Sequence, residues 1–455
     1  MERESTHSGV IDMSQLPRSG PLFVDLYELT MAAGYFDHDI TEEAAFSLFI
    51  RDYPKGRSFF LAAGLADVLA ELEDLRFTES DLSYLRSTGQ FPDRFLEYLE
   101  TFRFTGTVRA MPEGTVFFTN EPVLEVSAPL IQAQLLETLL LNTVGFQTLI
   151  ATKAARCVHA ARGRSLIDFS ARRTHGGEAA LKVARSSYLA GFAGTSNVLA
   201  GKLYGIPVSG TMAHSFVTAF DSEIEAFRAF AESYPNNVVL LIDTYDTLEG
   251  ARNAVQLARE MAERGERLIG VRLDSGDMVD LSRRVRKILD DAGFSDVKIF
   301  ASSGFDEHKI SRVIEEGAQI DAFGVGTRLG VSADVPYFDI VYKMVHFRDR
   351  HIRKRSPGKV NLAGEKQVFR QFDEKGGYRK DIIGRKEEPP PENARPLLET
   401  VMEKGERLVP EKDLQGMRKR VAQNLAGLPE PLKALEAKDA YPVALSEALE
   451  RIQQD

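Results

Sequence analysis

The chain of 455 residues is long enough for a large buried core in two or three domains, or for one α/β barrel of about 200–250 residues with additions. Its 27% charged and 43% hydrophobic residues are those of an ordinary globular protein, and a formal net charge of −10 speaks against a nucleic-acid partner. The single cysteine, Cys157, excludes an intrachain disulfide framework and a cysteine-built zinc site and fits a reducing, cytoplasmic setting. The opening stretch "MERESTHSGVIDMSQLPRSG" lacks the basic-then-apolar layout of a signal peptide, and no 18-residue apolar run predicts a membrane span.

Residues 1–20 read as a flexible N-terminus, and ordered structure is expected from "PLFVDLYELTMAAGYF" (21–36) onward. "AAFSLFIRD" (44–52) alternates like a half-buried strand, and "RSFFLAAGLADVLAELEDL" (57–75) turns into a helix. Three short β-rich runs follow in 107–129, so residues 21–129 are expected to form an α+β domain. From residue 130, apolar spacing at i, i+3 and i+4 predicts one long helix ending near Gly163.

Beyond it, strands and helices alternate. Apolar strand runs are predicted at 165–170, 206–211, 238–244, 268–274, 297–303 and 322–327. Continuous apolar strands separated by amphipathic helices mean a parallel sheet covered on both faces. Each run turns polar at its C-terminal end: Asp168, Ser209 and Thr211, Asp243, Asp274, Ser302 and Ser303, then Thr327. Polar ends recurring at six strands favour a barrel, whose strand ends share one functional face, over a doubly wound sheet with a single switch point. The barrel is assigned to 130–350. Residues 351–455 begin with basic β-hairpins, then turn charged and mostly helical, and are expected to pack on the N-terminal domain.

Several clusters carry chemistry. The turns "SGT" (209–211), "SSG" (302–304) and "GVGT" (324–327) offer backbone N–H groups to phosphate, although each alone is more often a plain turn. In "GVRLDSGDM" (270–278), alternation points Arg272 and Asp274 to one side; an ion pair or a helix cap is the structural alternative, for Asp277 above all. "DFSARRTHGG" (168–177) sets Phe169 beside Arg172 and Arg173, a pairing that suits a flat anion, or else a core ring with solvated arginines. His214, in "GTMAHSFV", is either a satisfied structural histidine or a nucleophile. A helix N-terminus there disfavours the imidazolium, Asp243 could hold its other nitrogen, and the ring could accept a phosphoryl group.

Taken together with "DLYELTMAAGYF", "ETLLLNTVGFQTLIATKAAR", "GFAGTSNVLAGKLYGIPVSGTMAHSFV", "LIDTYDT", "FASSGFDE", "FGVGTRLG" and "SPGKVNL", these segments resemble the nicotinate phosphoribosyltransferase family over about residues 20–365. The resemblance implies an irregular, TIM-like α/β barrel with a second α+β domain built from both termini, usually in a homodimer. It implies transfer of phosphoribose from 5-phosphoribosyl 1-pyrophosphate to nicotinate, with Mg²⁺, coupled to ATP hydrolysis through a phosphohistidine. By motif, His214 would be phosphorylated and Asp243 would orient it. Phe169 and a partner subunit's Tyr27 would sandwich the pyridine. Arg272 and Thr211 would contact the nicotinate end, and Asp274 would lie near the ribose or Mg²⁺. Ser303, Gly304, Gly326 and Thr327 would hold the 5-phosphate, and Arg172 the phosphate or pyrophosphate side. Related nicotinamide enzymes carry an acidic residue where this chain has Ser196, so nicotinate is favoured. A nicotinamide or quinolinate transferase of the same fold, or a non-catalytic nucleotide-binding barrel, are the alternatives. "SARRTHG" departs from the commoner "GLRRAQG" but keeps both arginines.

Overall fold

The structure is a computed structural model that describes residues 19–354, 361–409, 414–436 and 439–454. Most of the segment expected to be flexible at 1–20, and most of "SPGKVNL", lie outside those residues. The chain divides into two compact units, Met1–Thr152 with Val335–Asp455 and Lys153–Asp334.

In the Lys153–Asp334 unit, six parallel strands form one sheet: β1 (Ser165–Asp168), β2 (Gly194–Thr195), β3 (Val239–Leu241), β4 (Gly270–Leu273), β5 (Lys298–Ala301) and β6 (Ala322–Val325). Their order is β2-β1-β6-β5-β4-β3. The apolar positions of β3 are buried throughout, as expected of a strand covered on both faces. The run at 206–211, expected to be a strand, contributes only a single parallel bridge, Val208 to Thr195, and Gly194–Thr195 takes the sheet position instead. Pro207 lacks an N–H to donate, and Gly210 favours no extended pairing, so the ladder stops there.

Side-chain caps fix where the strand-to-helix turns end. Asp246 accepts from Leu248 N and Glu249 N ahead of the helix Thr247–Glu263. Asp277 accepts from Val279 N and Asp280 N ahead of Met278–Asp291, so the capping alternative holds for this residue. Asp306 accepts from Lys309 N ahead of Glu307–Glu315. Each such cap stabilises by about 1 kcal/mol and leaves little freedom in the loop before it. Gly250 lets the first of these helices approach its strand closely: a Cβ there would sit 2.1 Å from the Ile242 carbonyl oxygen.

The other unit is α+β. Among the described residues, its largest sheet has seven strands in the order Arg350–His351, Ile340–Phe347, Glu43–Ile50, Leu124–Pro129, Thr107–Ala110, Glu399–Glu403, Glu406–Arg407. Every pairing in that sheet is antiparallel. A four-stranded sheet combines Ala394–Pro396, Lys366–Phe372, Tyr378–Arg385 and Val443–Leu445. Three expectations change here. The strand Glu43–Ile50 is buried on both faces rather than one, because Ser47, on the second face, donates to the buried Glu125 at 2.6 Å. The single helix expected over 130–163 is two, Leu130–Gln134 and Glu137–Ala160, parted at Leu135 and Leu136. The segment after residue 395 adds strands to its helices Leu414–Gly427, Glu430–Lys433 and Glu447–Gln454: Glu399–Glu403 pairs with Thr107–Ala110, and Val443–Leu445 pairs with Tyr378–Arg385.

Candidate active site

At the C-terminal ends of β3, β4 and β5, hydroxyls and carboxylates tie neighbouring strands together. Asp243 Oδ2 accepts from Asp274 N at 2.9 Å and from Ser275 Oγ at 2.6 Å. Asp274 Oδ1 in turn accepts from Ser302 Oγ. These bonds hold the Asp274 carboxylate at the rim, where its side chain is 37% exposed, and leave Oδ2 at 4.0 Å from His214 Nε2. His214 opens the short helix His214–Val217, and its Nδ1 lies 3.2 Å from Thr244 Oγ1. Asp243, expected to orient His214, does not touch the ring. The strand ends at Leu241, alternation is lost, and the next residue, Thr244, takes that place.

Arg272, on β4, donates from Nη1 to Thr211 Oγ1 at 2.7 Å, which joins two residues predicted to act together. Its Nε is buried and finds no acceptor among the described residues. Burial pulls the guanidinium below its ordinary value; Asp274 and Asp243 oppose that, and Arg172 adds to it. A cation partly stripped of water, with a donor to spare, is primed to receive an anion.

The loop after β1 carries Phe169. Asp168 is fully buried, accepts from Ser170 N at 2.9 Å and from Thr195 Oγ1 at 2.7 Å, and so locks the start of this loop. Burial pushes its carboxyl up, and those hydrogen bonds oppose the shift. The Phe169 ring is half-buried and lies over Gly324, where a Cβ would meet its Cδ2 at 2.5 Å. Arg172 and Arg173 follow on one 3₁₀ turn, both exposed. Ser196 is half-buried at the end of β2, with its N–H donating to the Asp168 carbonyl at 2.8 Å.

Ser303 and Gly304 sit after β5 in left-handed backbone, at φ of 119° and 62°. A non-glycine residue held there is strained, a feature that gathers at ligand-binding loops. These two residues line an open cleft with Lys309, Arg312, Arg328, His308, Asp306 and Asp334. Lys309 Nζ donates to the Ser303 carbonyl at 2.5 Å, and burial, Arg312 and Arg328 together hold its ammonium below the usual value. Arg328 pairs with Asp306 at 2.7 Å. Gly326 is half-buried and Thr327 exposed at the start of the short helix Thr327–Gly330, beyond β6. The basic residues of this cleft were missed from sequence. Their signal was the i, i+3 spacing of Lys309 and Arg312 behind "SSG", which puts both on one helix face.

Glu307, His308 and Asp334 have potential ligand atoms within 4.8 Å of one another. Glu307 is committed elsewhere: it is fully buried and accepts from Lys153 Nζ at 2.7 Å and Arg156 Nε at 3.1 Å. That pairing neutralises the carboxylate and makes the trio a poor metal cage. The carboxylate of Asp274 fits Mg²⁺ better, because one oxygen is steadied by Ser302 and the other is open at the rim; Mg²⁺ takes one or two carboxylates together with substrate phosphates. Tyr27 belongs to the other unit, on the helix Leu26–Asp37. It is 46% exposed, and burial and Glu137 raise its hydroxyl above the ordinary range.

The fold and this cluster place the chain among α/β proteins that gather cations, carboxylates and a histidine at the C-terminal ends of a parallel sheet. The sequence matches, in order, the nicotinate phosphoribosyltransferase N-terminal domain at residues 22–145, the nicotinate phosphoribosyltransferase family at 164–355 and the nicotinate phosphoribosyltransferase C-terminal domain at 391–453. It is 50% identical to nicotinate phosphoribosyltransferase pncB2 of Mycobacterium tuberculosis over 94% of this chain and 92% of that protein. It is 40% identical to the nicotinate phosphoribosyltransferase of Bacillus subtilis over 94% and 93%. The crystal structure of human nicotinic acid phosphoribosyltransferase superposes with a TM-score of 0.85 at 30% identity, covering 94% of this chain and 99% of that one. The chain belongs to the nicotinate phosphoribosyltransferase family. Among the described residues, no helix is long and apolar enough to cross a membrane.

Proposed function

We propose that this protein joins nicotinate to 5-phosphoribosyl 1-pyrophosphate, forming nicotinate mononucleotide and pyrophosphate, and that ATP drives the reaction through a phosphohistidine at His214. The observation that carries the reading is the meeting of His214, Asp274 and a half-desolvated Arg272 at adjacent strand ends. Full closure of the six-stranded sheet into an irregular barrel belongs to the same proposal. The Val208 bridge beside β2, which adds a seventh parallel segment to the edge, supports it.

Each residue has a part that its surroundings favour. Arg272, held by Thr211, binds the nicotinate carboxylate, while the half-buried face of Phe169 takes the pyridine ring and Tyr27 of the partner subunit covers it. Ser196 at the end of β2 presents a neutral hydroxyl, which tolerates a carboxylate where an acidic side chain would repel it. The loops at Ser303–Gly304 and Gly326–Thr327 bind the 5-phosphate, with Lys309 and Arg312 supplying charge. Exposed Arg172 receives the pyrophosphate. Mg²⁺, held by Asp274 together with the substrate's own oxygens, would neutralise charge on the departing pyrophosphate. The pyridine nitrogen already has a lone pair, so the chain needs no strong base. Its contribution is alignment of the ring nitrogen with C1 of the ribose, and fixed cations around the leaving group.

For the ATP step, a His214 ring whose Nδ1–H donates to Thr244 presents its Nε2 lone pair. Nε2 attacks the γ-phosphorus, the bond to ADP breaks, and water later cleaves the N–P bond to release phosphate. Incubation with γ-labelled ATP tests this step. Wild type should take up an acid-labile, base-stable label, and His214→Ala should take up none while keeping a residue of uncoupled transfer. An unlabelled wild type would refute the phosphohistidine.

A further inference from the structure

Tyr27 stands between two residues that a single threonine holds. Thr138 Oγ1 accepts from Asp25 N at 3.2 Å and donates to Glu28 Oε1 at 2.5 Å, and Thr138 N donates to the same Glu28 oxygen at 3.1 Å. Asp25 is the N-cap of the helix Leu26–Asp37, so its first turn is pinned on both sides of Tyr27. Glu28 is fully buried, and its second carboxyl oxygen, Oε2, meets no donor among the described residues.

Among the described residues, the surroundings of Glu28 supply no countercharge. From its own first turn it faces the Tyr27 hydroxyl and the backbone N–H of the N-cap Asp25, which favours the ionised form. From the helix Glu137–Ala160 it faces Glu137 and Thr138. From the strand Ile340–Phe347 it faces the buried Tyr342 hydroxyl, which donates to the Ala133 carbonyl at 3.0 Å. The cation of that strand, Lys343, is spent on Glu137 Oε1 at 3.1 Å, and Gln134 Nε2 occupies Glu137 Oε2, also at 3.1 Å. An ionised Glu28 would therefore be a buried charge beside a second carboxylate, with one oxygen unsolvated. Burial first, then Glu137, lift its carboxyl to about 7 against the pull of the Thr138 hydrogen bonds.

We propose that Glu28 is a positioning residue for Tyr27, and that only its protonated form keeps the first helical turn clamped to Thr138 with the Tyr27 ring in place for nicotinate. This rests on the reading of Tyr27 as the residue that covers the pyridine. Ionisation strengthens the two Thr138 hydrogen bonds that Glu28 accepts, but it leaves a buried charge with Oε2 unsolvated beside Glu137; the second effect outweighs the first, so Glu28 pulls toward water, the clamp opens, and Tyr27 goes with it. Nicotinate stays a carboxylate across this range, so the pH response belongs to the protein. Below pH 7 the clamp is closed. Above it, the competent fraction falls with the protonated fraction, which raises the KM for nicotinate about fivefold between pH 7 and pH 8 while kcat and the KM for 5-phosphoribosyl 1-pyrophosphate stay level.

The test measures both KM values and kcat from pH 6 to 8.5 for wild type, Glu28→Gln and Tyr27→Ala, with melting temperature on the same samples. Glutamine keeps the acceptor for Thr138 and cannot ionise, so Glu28→Gln should hold the low-pH KM for nicotinate at every pH, whereas a merely structural role would leave the wild-type pH profile in place. Tyr27→Ala should raise that KM and flatten the profile. A wild-type KM that does not change with pH, or a Glu28→Gln profile that still rises, overturns the proposal. A Tyr27→Ala enzyme with wild-type KM overturns it too, but leaves the transferase reading standing. Wild-type enzyme that makes no product at any pH overturns the functional reading itself, and is distinguished from the other failures by the absence of kcat. Fall of the wild-type melting temperature as pH rises from 5 to 8, abolished in Glu28→Gln, reports the buried proton without any substrate.

Discussion

Gly324→Ala puts a methyl group where the Phe169 ring lies. The added carbon would stand 2.5 Å from Cδ2 and 2.6 Å from Cε2, about 1 Å inside ordinary carbon contact. The Gly324 backbone does not lie in the left-handed region, so alanine is tolerated there and the clash falls on the ring. Overpacking of this kind costs about 1–3 kcal/mol where the neighbour cannot yield. Phe169 is half-buried and can swing outward, so the expected loss of stability is at the low end, about 1 kcal/mol. A displaced ring no longer stacks on the pyridine. Such a contact is worth about 0.5–1.5 kcal/mol, so the KM for nicotinate should rise about 2–10-fold. Initial rates at saturating 5-phosphoribosyl 1-pyrophosphate measure it, with the KM for that substrate as the internal control. Phe169→Ala should show a similar loss, and the double variant no further loss, because both changes remove one contact. A Gly324→Ala enzyme with unchanged nicotinate KM, or full additivity in the double variant, would refute the placement of the pyridine on Phe169.

Arg272→Lys keeps the charge but gives up the planar fork that reaches both Thr211 and a carboxylate, and should raise the KM for nicotinate by about 1.5–3 kcal/mol, roughly 10–150-fold. Titration calorimetry with nicotinate reads the same loss without turnover. Lys153→Met leaves Glu307 and Asp334 without the ammonium that each touches, at 2.7 and 2.6 Å. Denaturant unfolding should show a loss of about 3 kcal/mol, less than for an exposed pair only if Arg156 fully takes over. The same cluster predicts an acid response. Burial pulls Glu307 upward, but Lys153 and Arg156 outweigh it and leave the carboxyl below its ordinary value. Its contribution is therefore complete above the unfolded-state value near 4.5 and is lost as pH falls below it, and Glu307→Gln should flatten that part of the melting profile.

The strand-end residues were legible in the sequence because alternation is a strong rule where a strand is regular. Arg272 and Asp274 were put on one side of β4 from spacing alone, and both border the His214 cluster. Regularity also sets the limit of that rule. Two residues past β3 the register no longer predicts direction, so spacing points to Asp243 as the histidine's partner where the hydrogen bond is to Thr244. β2, only Gly194–Thr195, is too short to leave a period, and the more apolar run that holds Val208 gives the stronger strand signal. The parting of two helices at Leu135 and Leu136 has no glycine or proline to mark it. The second buried face of Glu43–Ile50 looks solvent-facing in the sequence because it carries Ser47, whose hydroxyl is satisfied by Glu125 directly opposite on the neighbouring strand, far away in the chain. The basic cleft needed the turn geometry of Ser303–Gly304 before Lys309 and Arg312 could be recognised as facing it.

One measurement reaches the chemistry directly: product formation by the purified protein from 5-phosphoribosyl 1-pyrophosphate and Mg²⁺ with nicotinate, nicotinamide or quinolinate as the pyridine, each with and without ATP. Nicotinate mononucleotide and pyrophosphate should appear in equal amounts, only weakly from the other two pyridines, and faster when ATP is present. No product from nicotinate, or faster turnover of nicotinamide, would contradict the account.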